Sequence, residues 1–353
     1  MAATGVVFQA ADGSWCAPDG RTLIFSERRF LERIWHGNHC FVCGVHPDDA
    51  DFNEEHVIPN WLLKRFQAHQ DRLRLPNEAT VAYGRHKVPC CVECNSRIGR
   101  EIEQPVSDLL ASGFYGVLDH VQRKGPWLLF EWLCLLFVKV HLADKSLRWN
   151  LDARQGDQRI ADAYAWEHIQ HAHRMARRSH TGMHTNLQAL GSFWVVSADD
   201  REEYGPFDFG TYFWHRSVML RHRGIALVAI LDDSGAAQYL LRDKLLQVTG
   251  PIYPHQHREL AARLGHLNKH LRNRPVHHPH VDTLGRFVLS VEIPEDIGPG
   301  LPAEDEFRSL LESSVDNLIA GVTAEEKIRR AIQTGFSFLF DKDGRYRSGS
   351  WVD

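Results

Sequence analysis

Three short stretches decide how this chain is read: Cys40-Phe41-Val42-Cys43, Glu54-Glu55-His56-Val57-Ile58-Pro59 and Cys91-Val92-Glu93-Cys94-Asn95. Structural zinc takes four ligands in a tetrahedron, and Cys-x-x-Cys is a spacing at which two thiolates of one turn reach the same ion. Each pair alone is half a site. The alternative for the first pair, two buried free thiols, weakens once a second pair is found downstream. Gly44 follows Cys43 and can take the backbone conformation of a tight knuckle turn. Cys90 and Cys91 are adjacent, so a register has to be chosen. Cys91 with Cys94 repeats the spacing of the first pair, whereas Cys90 with Cys94 is one residue wider. We take Cys40, Cys43, Cys91 and Cys94 as the zinc ligands and Cys90 as a strand-end residue directed elsewhere. Ile98 and Ile102 follow at helical spacing, which places the last pair at a helix N-terminus, where thiolate is favoured.

The acid-His run between the pairs, and the Asn directly after the last Cys, add chemistry that zinc folding does not need. Imidazole titrates near 6.5, so at neutral pH much of His56 can accept a proton. A neighbouring carboxylate suits a hard cation that prefers oxygen ligands. With these residues in this order, the stretch from Cys40 to Glu103 resembles the HNH nucleases, in the branch where four Cys hold a structural zinc. The resemblance covers about a fifth of the chain. It implies a treble-clef, or ββα-metal, domain: a knuckle, a hairpin, then a helix bearing the last two ligands. It also implies that His56 takes a proton from the attacking water and that Glu55 ligates a catalytic Mg²⁺ or Mn²⁺. Asn95 would ligate that metal or position it and the His loop. Many members carry Asp where this chain has Glu55, which leaves Glu54 as a possible substitute. A third His, found in many members several residues further on, is absent. Glu103 is the candidate for the missing ligand, with a plain surface carboxylate as the alternative. Arg97 and Arg100 on the same helix are the expected phosphate contacts.

The activity implied is metal-dependent hydrolysis of phosphodiester bonds, with DNA as the expected substrate and bacterial restriction or phage defence as an analogy for its setting. The rival from another class is a catalytically inactive, zinc-stabilised module that binds nucleic acid or a protein partner.

The whole chain sets limits on both readings. It has 353 residues, of which 24% are charged and 43% hydrophobic, the composition of a globular protein with a substantial core. The net charge of -4 requires any nucleic-acid surface to be a local basic cluster. Seven Cys, four of them in Cys-x-x-Cys pairs, fit a metal site in a reducing compartment better than a disulfide framework. The N-terminus lacks the pattern of a secretory signal, and a cytoplasmic location is the expectation. Trp127 to Leu142 is the most apolar run, but Glu131 and Lys139 interrupt it, so we read a core helix rather than a membrane span.

The rest of the chain is expected to be α+β. Residues 1–30 read as a β-hairpin extension with turns at Asp12-Gly13 and Asp19-Gly20, because Gly accepts the positive φ of hairpin turns. A short helix near Arg28 to Ile34 leads into the nuclease-like domain of residues 31–104. In it, Asn60 to His69 forms an amphipathic helix, and strand pieces at 81–83 and 88–89 deliver the chain to the second Cys pair. Pro105 is expected to end or kink the Asn95 helix. Residues 105–185 read as helical, with His168, His171, His173, His180 and His184 as either a second metal site or an ordinary polar face. Residues 186–353 read as an accessory domain built on an antiparallel sheet, able to serve target or protein-partner recognition. Its expected strands include 193–196, 212–214, 218–220, 225–231 and 239–241. The basic helix from His257 to Asn273 is expected to offer a second phosphate surface. His277 to Asp282 read as a loop, Phe287 to Ile293 as a strand, Glu304 to Thr334 as two helices, and Phe336 to Trp351 as a hairpin.

Overall fold

Gly13 and Gly20 take φ of +85° and +87°, and the two turns they permit fold the first described residues into a small sheet. The computed structural model describes residues 6–300, 304–315 and 322–349. The sheet has three strands rather than two: β1 (Phe8–Gln9), β2 (Trp15–Cys16) and β3 (Thr22–Ile24), in that order. Each Gly turn closes its own hairpin, so the residues between the turns become the middle strand. Helix α1 (Glu27–Arg29) follows and widens into a π turn over Phe30–Trp35.

The Cys-rich stretch forms a β-β-α unit. Strand β4 (Phe52–His56) leads to helix α2 (Asn60–Phe66), then to a hairpin of β5 (Arg72–Arg74) and β6 (Thr80–Ala82). Strand β7 (Lys87–Cys91) returns antiparallel to β4, with Phe52 opposite Cys91 and His56 opposite Lys87. Cys91 caps helix α3 (Val92–Ile98). That helix does not end before Pro105. A π turn at Gly99–Glu103 carries it into α4 (Gln104–Ala111), and such a turn is where a helix absorbs an interruption of its bonding.

Helix α5 (Gly113–Lys124) precedes α6 (Trp127–Asp144), whose residues from Leu129 to Leu142 are all buried. Among the described residues no single helix is long and apolar enough to cross a membrane. Helix α7 (Glu167–Ala176) comes after a 3-10 turn at Ile160–Ala163, and α8 (Arg178–Thr181) and β8 (His184–Thr185) follow.

The accessory sheet is present. Strands β9 (Phe193–Ser197), β10 (Phe207–Tyr212), β11 (Ser217–His222) and β12 (Ile225–Ile230) form one antiparallel sheet in the order β10-β11-β12-β9. Tyr239 to Leu241, expected as a strand, lies in helix α9 (Ala236–Leu245). The Asp233 carboxylate starts that helix by accepting from Ala237 N at 2.8 Å, a cap that a three-residue apolar run does not reveal. Helix α10 (Pro254–Lys269) contributes Leu260, Ala261 and Leu264 to the core of this sheet.

His277 to Asp282, expected as a loop, belongs to strand β13 (Val276–Val281), which joins β14 (Phe287–Glu292) and β8 in a three-stranded sheet. Strand β13 is at the edge of that sheet, the place where Pro279 is tolerated. Helices α11 (Glu304–Val315) and α12 (Val322–Gln333) match the expected pair. A bridge between Phe340 and Tyr346 marks the terminal hairpin, whose last residues, Trp351 among them, lie outside the described ones.

The chain divides into two compact units. One comprises Met1–Asp108, Trp127–Ala189 and His277–Val291; the other comprises Leu109–Pro126, Leu190–Val276 and Glu292–Asp353. The stretch 105–185, expected as a helical region of its own, is thus shared between the units. The segment of β13 and β14 leaves the accessory region for the first unit.

Within the first unit, α7 fastens the first Cys turn from behind. His173 Nε2 meets Phe41 O at 2.6 Å. Arg177, one turn on, is 1% exposed and donates to Val42 O, to Leu23 O at 3.1 Å and to Thr22 O at 2.6 Å. Its guanidinium also lies 4.5 Å from the centre of the Phe25 ring. Burial lowers its pKa to about 10, so it stays charged at neutral pH. Arg177→Met removes the donors and strands the buried carbonyls of Val42 and Leu23, at about 1–3 kcal/mol for each unsatisfied group. The variant should melt well below wild type in a calorimetric scan.

Candidate functional site

The two Cys pairs meet. The thiol sulfurs of Cys40, Cys43, Cys91 and Cys94 all lie within 4.8 Å of one another, a group able to hold a metal ion and compatible with structural zinc. Cys40 and Cys43 stand on a turn closed by Gly44 N donating to Cys40 O at 2.8 Å. Gly44 has φ of +78°, and a Cβ there would lie 2.7 Å from the Phe25 ring, so both the backbone and the space require glycine. Cys91 ends β7 and Cys94 sits in the first turn of α3. The register with Cys91 is the one that closes the group. Cys90 is not directed away as expected: it is fully buried, with its sulfur 3.8 Å from Cys40.

The electrostatics of the cluster favour a cation. Hydrogen bonds from Cys43, Cys90, Cys91 and Cys94 push the Cys40 thiol far below its ordinary value. Contact with Cys40 in turn pushes Cys43, Cys90, Cys91 and Cys94 upward. Several thiolates this close cannot all be ionised without a positive charge among them, which a bound Zn²⁺ would supply.

Beside the cluster, three charges converge. Lys139 of α6 has no exposed surface, and its Nζ lies 2.7 Å from Glu55 Oε1 and 3.3 Å from Glu103 Oε1. Burial alone would lower the Lys139 pKa, but the two carboxylates raise it above the ordinary value. Burial raises Glu103, and Lys139 opposes the rise. Glu55 and Glu103 are therefore brought together, and Glu103 is no plain surface carboxylate. Glu54 alternates to the other face of β4 and is exposed, whereas Glu55 is buried. The Oε2 atoms of Glu55 and Glu103 accept no hydrogen bond among the described residues, and neither is sealed from solvent.

Two oxygens of this kind fit a hard divalent cation, which usually takes one or two carboxylates and completes its shell with water and substrate phosphate. Among the described residues no third acid or His closes on them into a ready-made set.

His56 follows Glu55 on β4 and is half-buried. Burial, and then Lys87 directly across the β4–β7 ladder, hold its pKa below the ordinary 6.5. Asn95 Nδ2 donates to Asn53 Oδ1 at 2.8 Å, which ties α3 to β4 two residues before Glu55. The expected phosphate contacts differ in availability. Arg97 lies 3.2 Å from His180 Nδ1 and pairs with Glu93 at 3.6 Å and Glu101 at 3.9 Å. Arg100 is more open, with its side chain 68% exposed, and pairs with Glu101 at 2.9 Å.

Two histidines of the His-rich segment, His171 and His173, are buried and bond backbone carbonyls, so they belong neither to a metal site nor to a polar face. His173 holds Phe41 O, while His171 Nε2 meets Ala189 O at 3.1 Å and its ring stacks on His277. The side chain of His168 lies outside the described ones. The basic helix is also differently used. Arg258 is buried against Asp208 at 2.5 Å, Arg263 pairs with Glu259 at 2.6 Å, and Arg274 pairs with Asp232 at 2.8 Å. These three cations are partners of acids and Lys269 pairs with Glu306, whereas Arg272 is exposed.

Sequence reasoning missed Lys139, Arg177 and His173. A signal existed for Lys139: a charge inside an otherwise apolar helix must find a partner on burial. No family model matches the chain, and no curated protein or solved structure is similar to it.

Two expectations follow for the purified chain. Cys91→Ser should lose the cluster-bound zinc, and Cys90→Ser should keep it, as read by elemental analysis. Lys139→Met leaves two buried carboxylates without their cation and should cost about 3 kcal/mol or more near neutral pH. Without Lys139 the buried Glu103 carboxyl loses the charge that opposes its rise above the ordinary value, so folding binds protons. The deficit against wild type should therefore shrink as pH falls toward 5, measured by denaturation at both pH values.

Proposed function

We propose that the chain is a metal-dependent endonuclease of the HNH type that hydrolyses phosphodiester bonds in nucleic acid, with DNA as the expected substrate. The observation that carries this reading is the placement of Glu55-His56 and Asn95 on one β-β-α unit over the four-Cys cluster. His56 accepts the proton of an attacking water. Its depressed pKa suits the role, because the ring is neutral at physiological pH. Asn95 ties α3 to β4 through Asn53, three residues before His56 on the same strand. Lys139 orients Glu55 and Glu103 by one oxygen each and leaves the second oxygen of each outward. Held by those oxygens, Mg²⁺ or Mn²⁺ would neutralise charge developing on the phosphate and the leaving oxygen. Arg100 is the better placed of the two arginines to meet the backbone, because its side chain is 68% exposed against 31% for Arg97. The zinc does no chemistry and holds β7 and α3 against the Cys40 turn.

One observation favours the rival reading, a zinc-stabilised binding module: the Lys139 ammonium already neutralises part of the charge that a catalytic cation would meet. Cleavage of plasmid, single-stranded DNA and RNA with Mg²⁺, Mn²⁺ or EDTA separates the two. His56→Ala should keep its zinc and melting temperature while cleavage falls at least about a hundredfold. Absence of cleavage by wild type with every divalent ion would leave the binding module. The pH profile adds a second check. A base must be deprotonated, so the rate should fall on the acid side only below pH 6.5. Lys87→Glu, which removes a repelling charge, should move that limb to higher pH.

A further inference from the structure

The second unit holds a group of metal-binding side chains that the nuclease reading does not use. His266 and His270 stand one turn apart on the same face of α10, with ring centres 4.6 Å apart. Glu306, in the first turn of α11, brings its Oε2 to 2.7 Å from His270 Nε2. One ligand atom from each of the three lies within 4.8 Å of the others. The second observation concerns His266. The residue is 5% exposed, and both of its ring nitrogens are buried with no hydrogen-bond partner. A neutral imidazole carries one donor and one acceptor, and buried polar atoms are rarely left without partners. His215, on the 3-10 turn Phe213–His215, adds a buried Nε2 without a partner, close enough to feel the charges of Glu306 and His266. Hydrogen bonding within the protein accounts for His270 and Glu306 but leaves the rings of His266 and His215 unexplained.

We propose that His266, His270 and Glu306 form a second metal site, for a divalent ion of the Zn²⁺ class. Two imidazoles and one carboxylate suit Zn²⁺ better than Mg²⁺ or Ca²⁺, which prefer oxygen throughout. Lys269 bonds the other oxygen, Glu306 Oε1, so the carboxylate is oriented with Oε2 toward the two rings. On binding, the contact between His270 and Glu306 opens as both atoms turn to the ion. His266 then gains the partner it lacks. Three protein ligands leave a coordination position, and His266 borders a cavity lined also by Arg263, Phe307 and Phe336. A metal there would join α10 to α11 and present that position to a small ligand.

The test counts metal in the full-length chain loaded with Zn²⁺ and, separately, with Co²⁺. Wild type should hold about two equivalents per chain: one at the thiolates, with intense sulfur-to-cobalt absorption, and one with only weak d–d bands. The double variant His270→Gln/Glu306→Gln, at two partly exposed positions, should hold about one equivalent and keep the thiolate absorption. Cys91→Ser should lose the thiolate band and keep the weak one. The assignment is overturned if wild type holds only the thiolate-bound ion, or if the double variant still holds two. Neither result depends on nuclease activity, so the two proposals stand or fall separately.

Discussion

A single ammonium with no exposed surface sets the geometry of the first unit. Lys139 lies in the middle of the buried helix α6 and is joined to Glu55, 84 residues earlier, and to Glu103, 36 residues earlier. A buried charge is tolerated only when its partners are fixed, and here the partners stand on different elements, β4 and the π turn after α3. The triad therefore ties the edge of the β-β-α unit to the core helix. The same tie decides which way β4 faces. With Glu55 turned inward to Lys139, strand alternation places Glu54 and His56 on the other face.

The four-Cys cluster is held from two sides. Its own thiols draw β7 and α3 onto the Cys40 turn, while His173 and Arg177 of α7 grip the carbonyls of Phe41 and Val42 in that turn. The Arg177 charge also stands near a group that becomes more negative as thiols ionise, and the cluster sulfurs in turn favour the charged form of that arginine. Local chelation and a distant helix thus stabilise the same turn. This explains why a buried arginine persists where an apolar residue would pack without desolvation cost.

The second unit follows the same logic with different partners. Its cations are drawn inward by acids: Arg258 by Asp208, and Arg216 and Arg274 by Asp232. Basic residues at helical spacing look alike in sequence whether they face solvent or a carboxylate. Only the position of Asp208 and Asp232 on neighbouring elements separates the two cases.

Much of the site was legible in the amino-acid sequence because its signals are local. Two Cys-x-x-Cys turns, a glycine directly after the first of them, and an Asn at the head of a helix are each set by a few consecutive residues. The choice of Cys91 over Cys90 followed from spacing alone. So did the antiparallel accessory sheet, because alternation and turn residues repeat over short windows. What the tertiary structure decided was the fate of each charge. Glu131 and Lys139 were read as interruptions of an apolar run, and folding makes them its anchors, with Glu131 bound to Ser179 and Lys139 to Glu55 and Glu103. Tyr239 to Leu241 became helix because a distant Ser192 and the Asp233 carboxylate organise the start of α9. The cluster of His266, His270 and Glu306 needs two helices separated by more than thirty residues, so no local pattern announces it. Propensity and spacing act over one turn or one strand, whereas desolvation of a charge is resolved by whichever partner the complete fold brings within reach.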